Sequence, residues 1–103
     1  MKKFMVLYMT PEGQEKPDLS KMPAEMVAQM NAAFGAWLQE VGTAVVDPGA
    51  PMGNVSEHAK AEIGGYTILQ AESLEAAQAL LDSHPFYKRG GYFDLYEMVE
   101  IPA

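Results

Sequence analysis

A chain of 103 residues with 7 Lys+Arg against 14 Asp+Glu has the length of one domain, 1–103, and no room for a cofactor domain beside a substrate domain. Its net charge of −7 argues against a nucleic-acid partner, because phosphate contacts need a basic surface. The absence of cysteine rules out disulfides, thiolate zinc sites and thiol nucleophiles, and 49% hydrophobic residues describe a globular chain rather than a disordered one.

The first apolar run, Phe4-Met5-Val6-Leu7-Tyr8-Met9, is too short for a signal-peptide core and stops at Thr10-Pro11-Glu12-Gly13. No run approaches the ~20 residues of a membrane helix, so a cytoplasmic protein with no membrane partner is expected. Lys3 to Met9 reads as a strand whose two faces, Phe4/Val6/Tyr8 and Met5/Leu7/Met9, are both apolar. A strand covered on one side should alternate apolar with polar, so this one is expected to be buried on both.

Thr10 to Ser20 reads as a polar loop. A helix follows from about Lys21 to Val41, with Ser20 as its cap. Met22, Met26, Met30, Ala33, Phe34, Trp37, Leu38 and Val41 recur at spacings of three and four and form one stripe. Gly42 is the expected stop. Thr43 to Asp47 is a short β-branched strand, and Pro48-Gly49-Ala50-Pro51-Met52-Gly53-Asn54 reads as a loop unable to continue a regular central ladder. Val55 to Ile63 is read as irregular, leading to a Gly64-Gly65 turn. Tyr66 to Ala71 is the third strand. Ser73 caps a second helix from Leu74 to about Ser83, with Leu74, Ala77 and Leu81 inward. His84-Pro85 ends it, and after Gly90-Gly91 a last strand runs from Tyr92 to Val99.

The order βαββαβ predicts an α+β, ferredoxin-like fold: a four-stranded antiparallel sheet with two helices on one face. The other face carries Met5, Leu7, Tyr92, Tyr96 and Met98. An open face that apolar predicts a homodimer packed sheet to sheet.

The opening Lys3-Phe4-Met5-Val6-Leu7-Tyr8 is followed by Phe34-Gly35-Ala36-Trp37-Leu38 and by Gly42-Thr43-Ala44-Val45-Val46-Asp47 ahead of Pro51-Met52-Gly53. Gly65-Tyr66-Thr67-Ile68-Leu69-Gln70-Ala71, Ser73-Leu74-Glu75-Ala76-Ala77, His84-Pro85 and Tyr96-Glu97 complete a pattern that resembles the YCII-related family of dimeric α/β-barrel proteins. The resemblance implies the same fold and a dimer. YCII-like proteins proposed to be enzymes resemble a histidine–aspartate design with a histidine at the start of the first helix. Ser20-Lys21-Met22-Pro23-Ala24-Glu25 stands there in this chain, so that dyad is not carried over. The position that matches the subgroup's pattern is His84.

His84 is the leading candidate for chemistry, since an imidazole titrates near neutrality and moves a proton either way. Its structural alternative is to bond the last carbonyls of a helix. Asp47 is a candidate base or orienting group, against an Asx turn before Pro48-Gly49. Asp94, inside a strand on the face of Tyr92 and Tyr96, is a candidate acid–base residue, against an edge charge that blocks strand pairing. Tyr8, Trp37, Tyr66 and Tyr96 are candidate ligand-binding aromatics. His58 with Glu57 and Glu62 lacks a metal-ligand spacing, and neither a metal nor another cofactor is expected. Three functions compete. The preferred one is binding of a small organic molecule, with an isomerase- or lyase-like acid–base step as its catalytic form. The rivals are a non-catalytic dimerising or ligand-sequestering module and a small monooxygenase.

Overall fold

The computed structural model describes residues 1–14 and 19–102. Four strands, β1 Lys2–Met9, β2 Val45–Pro51, β3 Ile63–Ala71 and β4 Tyr92–Met98, form one antiparallel sheet in the order β2-β3-β1-β4. Two helices, α1 Ala24–Val41 and α2 Leu74–Leu81, complete the βαββαβ order. This is the α+β ferredoxin-like arrangement that the alternation of patterns predicts.

The core lies between the helices and one sheet face. Phe4, Val6, Leu69, Ala71, Trp37, Ala77 and Leu81 are all buried there. Phe93 and Leu95 of β4 pack against the same clusters. Truncating Leu81, fully buried, would leave a cavity costing about 2–5 kcal/mol. The other sheet face is uncovered: Met5 and Leu7 are half-buried, while Tyr92, Tyr96 and Met98 are exposed. Within one chain, β1 is therefore buried on one face and partly covered on the other.

Helix α1 begins at Ala24, later than the periodicity suggests. Ser20 belongs to a separate 3₁₀ turn, Leu19–Lys21, and the cap position is Pro23, with no side-chain cap bond. Proline fits there because its missing N–H has no intrahelical partner. Gly42 ends the helix at φ 55°, its N–H bonded to the Leu38 carbonyl, as expected. The apolar stripe is only half used. Trp37 is buried, and Phe34, Leu38 and Val41 pack on the core, but Met26 is 47% exposed and Ala33 is exposed. Among the described residues, the buried and core-packed positions of α1 fall in its C-terminal part, from Phe34 onward.

In α2, Ser73 accepts from the Ala76 N–H at 3.1 Å, the expected cap. The helix stops at Leu81, two residues before Ser83, and Leu74 is exposed rather than inward. The expected loop after Asp47 is instead extended: β2 runs through Pro48 to Pro51 with register breaks at Val45/Asp47 and Asp47/Ala50. Its place at the sheet edge is what tolerates two prolines. The second strand starts at Val45 because Gly42–Ala44 forms a 3₁₀ turn. Gly64-Gly65 is not a turn but part of β3. A Cβ on Gly65 would lie 3.0 Å from the Ala50 carbonyl oxygen, so Gly65 marks close strand approach.

Candidate functional site

Pro85 disfavours helical backbone at the residue before it, and His84 is extended, with φ −68° and ψ 133°. His84 thereby caps a 3₁₀ turn, Pro85–Arg89, and its Nδ1 accepts from the Phe86 N–H at 3.0 Å. The ring is 3% exposed and lies among Trp37, Tyr8, Phe93 and Phe34, with centroids at 4.4, 5.1, 5.1 and 5.7 Å. Trp37 is fixed in turn by its indole N–H, which donates to the Leu80 carbonyl at 2.9 Å.

These bonds set the protonation state. Nδ1 is an acceptor, so the neutral ring carries its hydrogen on Nε2. Nε2–H then donates to Tyr8 Oη at 2.9 Å, Tyr8 O–H donates to Thr67 Oγ1 at 2.6 Å, and Thr67 O–H donates to the Pro48 carbonyl at 3.0 Å. Burial pushes the His84 pKa down to about 4. A second ring proton would also face the Phe86 N–H, donor against donor. Burial pushes Tyr8 up to about 12, outweighing the opposite effect of its bond to Thr67.

Tyr8 and His84 lie in a cleft of about 830 Å³. Phe34 and Met30 of α1 form one side of it, Pro48 to Asn54 another, and Pro85 and Phe86 a third. Among the described residues no Asp, Glu, Lys or Arg lines it. Gly91 lets Phe86 take this position, since a Cβ there would meet the Phe86 ring at 2.2 Å.

Of the residues singled out from sequence, Tyr8, His84 and Trp37 form one cluster. Trp37 is 2% exposed and sits behind His84 in the core rather than in the cleft wall. Tyr66 lines the cleft, and its hydroxyl donates to Asp47 Oδ2 at 3.4 Å. Asp47 Oδ1 accepts from the Gly49 N–H at 2.8 Å, which is the Asx turn of the structural alternative. Asp94 and Tyr96 lie elsewhere. Asp94 stands opposite Leu7, and both residues border a separate hollow of about 390 Å³ with Glu12, Lys60, Glu62 and Tyr92. His58 and Glu57 are exposed, and no three metal-ligating side chains gather among the described residues.

Sequence reasoning missed Thr67, Phe34, Phe86 and Phe93 as partners of this cluster. Thr67 carried a usable signal: it shares a face with Leu69 and Ala71, so a lone hydroxyl there enters the core and needs a partner.

No curated protein matches the chain. Among solved structures, the fold is similar to 5-chloro-2-hydroxyhydroquinone dehydrochlorinase (TftG) from Burkholderia phenoliruptrix AC1100, in complex with 2,5-dihydroxybenzoquinone. The two share 17% identity over 91% of this chain and 90% of that chain, with a TM-score of 0.56. The YCII-related domain model matches residues 2–101. That span is nearly the whole chain, which therefore belongs to the YCII-related domain family.

Proposed function

We propose that this protein binds a small organic molecule in the cleft at Tyr8 and does so as a homodimer joined through the open sheet face. The observation that carries the reading is the buried hydrogen-bond chain from His84 through Tyr8 to Thr67, set in the floor of a largely apolar cleft. Apolar walls with a few oriented polar atoms are what a small-molecule site needs. Support for the size class comes from the structural neighbour TftG, whose bound 2,5-dihydroxybenzoquinone is a single ring.

His84 has its Nδ1 lone pair filled and its Nε2–H committed, so no atom is free to take a proton at neutral pH. It acts as a positioning residue that holds Tyr8. Tyr8 borders the cleft, and the Tyr66 hydroxyl is held by Asp47 at the β2 edge. Asp47 serves the β2 edge, and Asp94 belongs to the dimer face.

The test is a thermal-shift screen of small organic molecules on wild-type protein and on Met30→Trp, which fills the cleft from α1. A ligand that stabilises wild type and not the variant supports the reading. Equal stabilisation of both places the ligand elsewhere and ends it.

A further inference from the structure

The uncovered face of the sheet is graded along its strands. Strand register places Lys3 beside Gln70 and Met98, Met5 beside Ile68 and Tyr96, and Leu7 beside Asp94, so these side chains form three successive rows on that face. The first row carries an exposed ammonium and the third a half-buried carboxylate, with an apolar row between them. Past Asp94 the anionic end continues into the hollow of about 390 Å³, where Glu12 and Glu62 stand with Lys60. Lys2 alternates to the helix side of the sheet, where it pairs with Glu97 at 3.6 Å. Asp47 sits at the β2 edge of the middle row, and its carboxylate is already held by the Gly49 N–H and the Tyr66 O–H. Lys3 and Asp94 are the charges that mark the two ends.

A second copy can cover this face in two ways. With the two-fold axis along the strands, both lysines fall at one end of the joined faces and both aspartates at the other. With the axis across the strands at the level of Met5, β1 lies over its own copy in reverse, and the Lys3 row of each chain covers the Leu7 and Asp94 row of the other. Both arrangements bury the apolar middle rows, and they differ in the charges. The first leaves each Lys3 roughly 13 Å along the strands from either Asp94, so both groups lose hydration without meeting each other. The second sets each charge over its opposite, twice by symmetry. Packed sheets lie about 10 Å apart and adjacent strands about 4.8 Å apart, a gap that an extended lysine and an aspartate close together.

On the reading that the open face joins two copies, we infer that the two β1 strands run antiparallel across the interface, with Lys3 of each protomer paired to Asp94 of the partner subunit. Sedimentation equilibrium at low salt gives the dimer dissociation constant for wild type, Lys3→Glu, Asp94→Lys and the double reversal. Each single reversal sets like charges together at two symmetric places and is expected to weaken the dimer about tenfold or more. The double reversal restores opposite charges and should return the constant to within about threefold of wild type. Single reversals without effect, or a double variant as weak as the two losses combined, overturn the inference and leave the dimer standing. A monomeric wild type instead removes the dimer reading on which the inference rests. Orientation has its own readout, because the chain has no cysteine. After subunit exchange, a short bis-maleimide should link Lys3→Cys protein to Asp94→Cys protein and should not link Lys3→Cys protein to itself. Self-linkage of Lys3→Cys protein puts the lysines at one end and overturns the inference, even if Asp94→Lys fails to fold.

Discussion

His84 is buried and Tyr8 half-buried, both are hydrogen-bonded in their neutral forms, and that has opposite consequences at the two ends of the pH scale. An unfolded histidine takes a proton below its ordinary value of 6.5, whereas the folded one waits until about 4. Between those values the unfolded state binds more protons, so stability falls as pH falls through that window. The loss attributable to His84 is on the order of 3 kcal/mol. Urea midpoints across the window should show it, and His84→Gln should flatten that part of the curve. A curve unchanged by the substitution would mean that the folded ring titrates normally. Tyr8 behaves in mirror image: stability is lost as pH rises from 10 towards 12, because the unfolded phenol ionises first. Tyr8→Phe keeps the ring but strands the His84 Nε2–H and costs Thr67 a bonding partner. It is expected to cost about 1–3 kcal/mol, measured by the same denaturation.

At the scale of elements, the edge strand β2 shapes the cleft because it is irregular. Asp47 turns the chain, Gly49 takes φ 74°, and a Cβ on Gly49 would lie 1.7 Å from the Tyr66 carbonyl oxygen. Gly49→Ala therefore forces backbone apart where strands β2 and β3 meet. Gly35 sits within α1 with nothing near its missing Cβ. The two glycines should respond with opposite signs. Gly35→Ala is expected to stabilise by about 0.5–1 kcal/mol, and Gly49→Ala to destabilise by more than that. Matching signs in chemical denaturation would contradict the β2 geometry. Helix α1 makes a complementary point. Its C-terminal half packs on the core through Trp37, Leu38 and Val41, while Met30, Asn31 and Phe34 line the cleft. Periodicity marks which side of a helix is apolar, but not what lies opposite it.

For the whole molecule, the informative surface is the sheet face away from the helices. Met5, Leu7, Ile68, Tyr92, Tyr96 and Met98 leave apolar side chains half-buried or exposed in a single chain. A second copy joined face to face would cover them. Sedimentation or light scattering is expected to give twice the 11.3 kDa chain mass. Tyr96, at 60% exposed, provides the control. Tyr96→Lys should yield a folded monomer, because a lysine in the middle of the joined faces would be desolvated without a partner. A wild-type chain that stays monomeric on concentration would refute the dimer.

Most of the architecture is legible in the sequence. The alternation of strand and helix patterns, the Gly42 stop, the Ser73 cap and the two apolar faces of β1 are local or periodic features, and they fix the βαββαβ order. The N-terminus of α1 and the length of β2 differ from the sequence expectation because Pro23 and Pro48 behave by context: a proline is allowed at a helix start and at a sheet edge, and only the fold says which position it holds. The same limit applied to the site. Sequence singled out Tyr8 and His84 as chemically capable residues. It could not show that they meet across 76 positions, or that Phe86 closes one ring nitrogen of His84. Nor could it separate Asp47 and Asp94 from them. Residue type determines what a side chain can donate or accept. The atom that fills each donor and acceptor comes from segments distant in sequence, and only tertiary packing decided that.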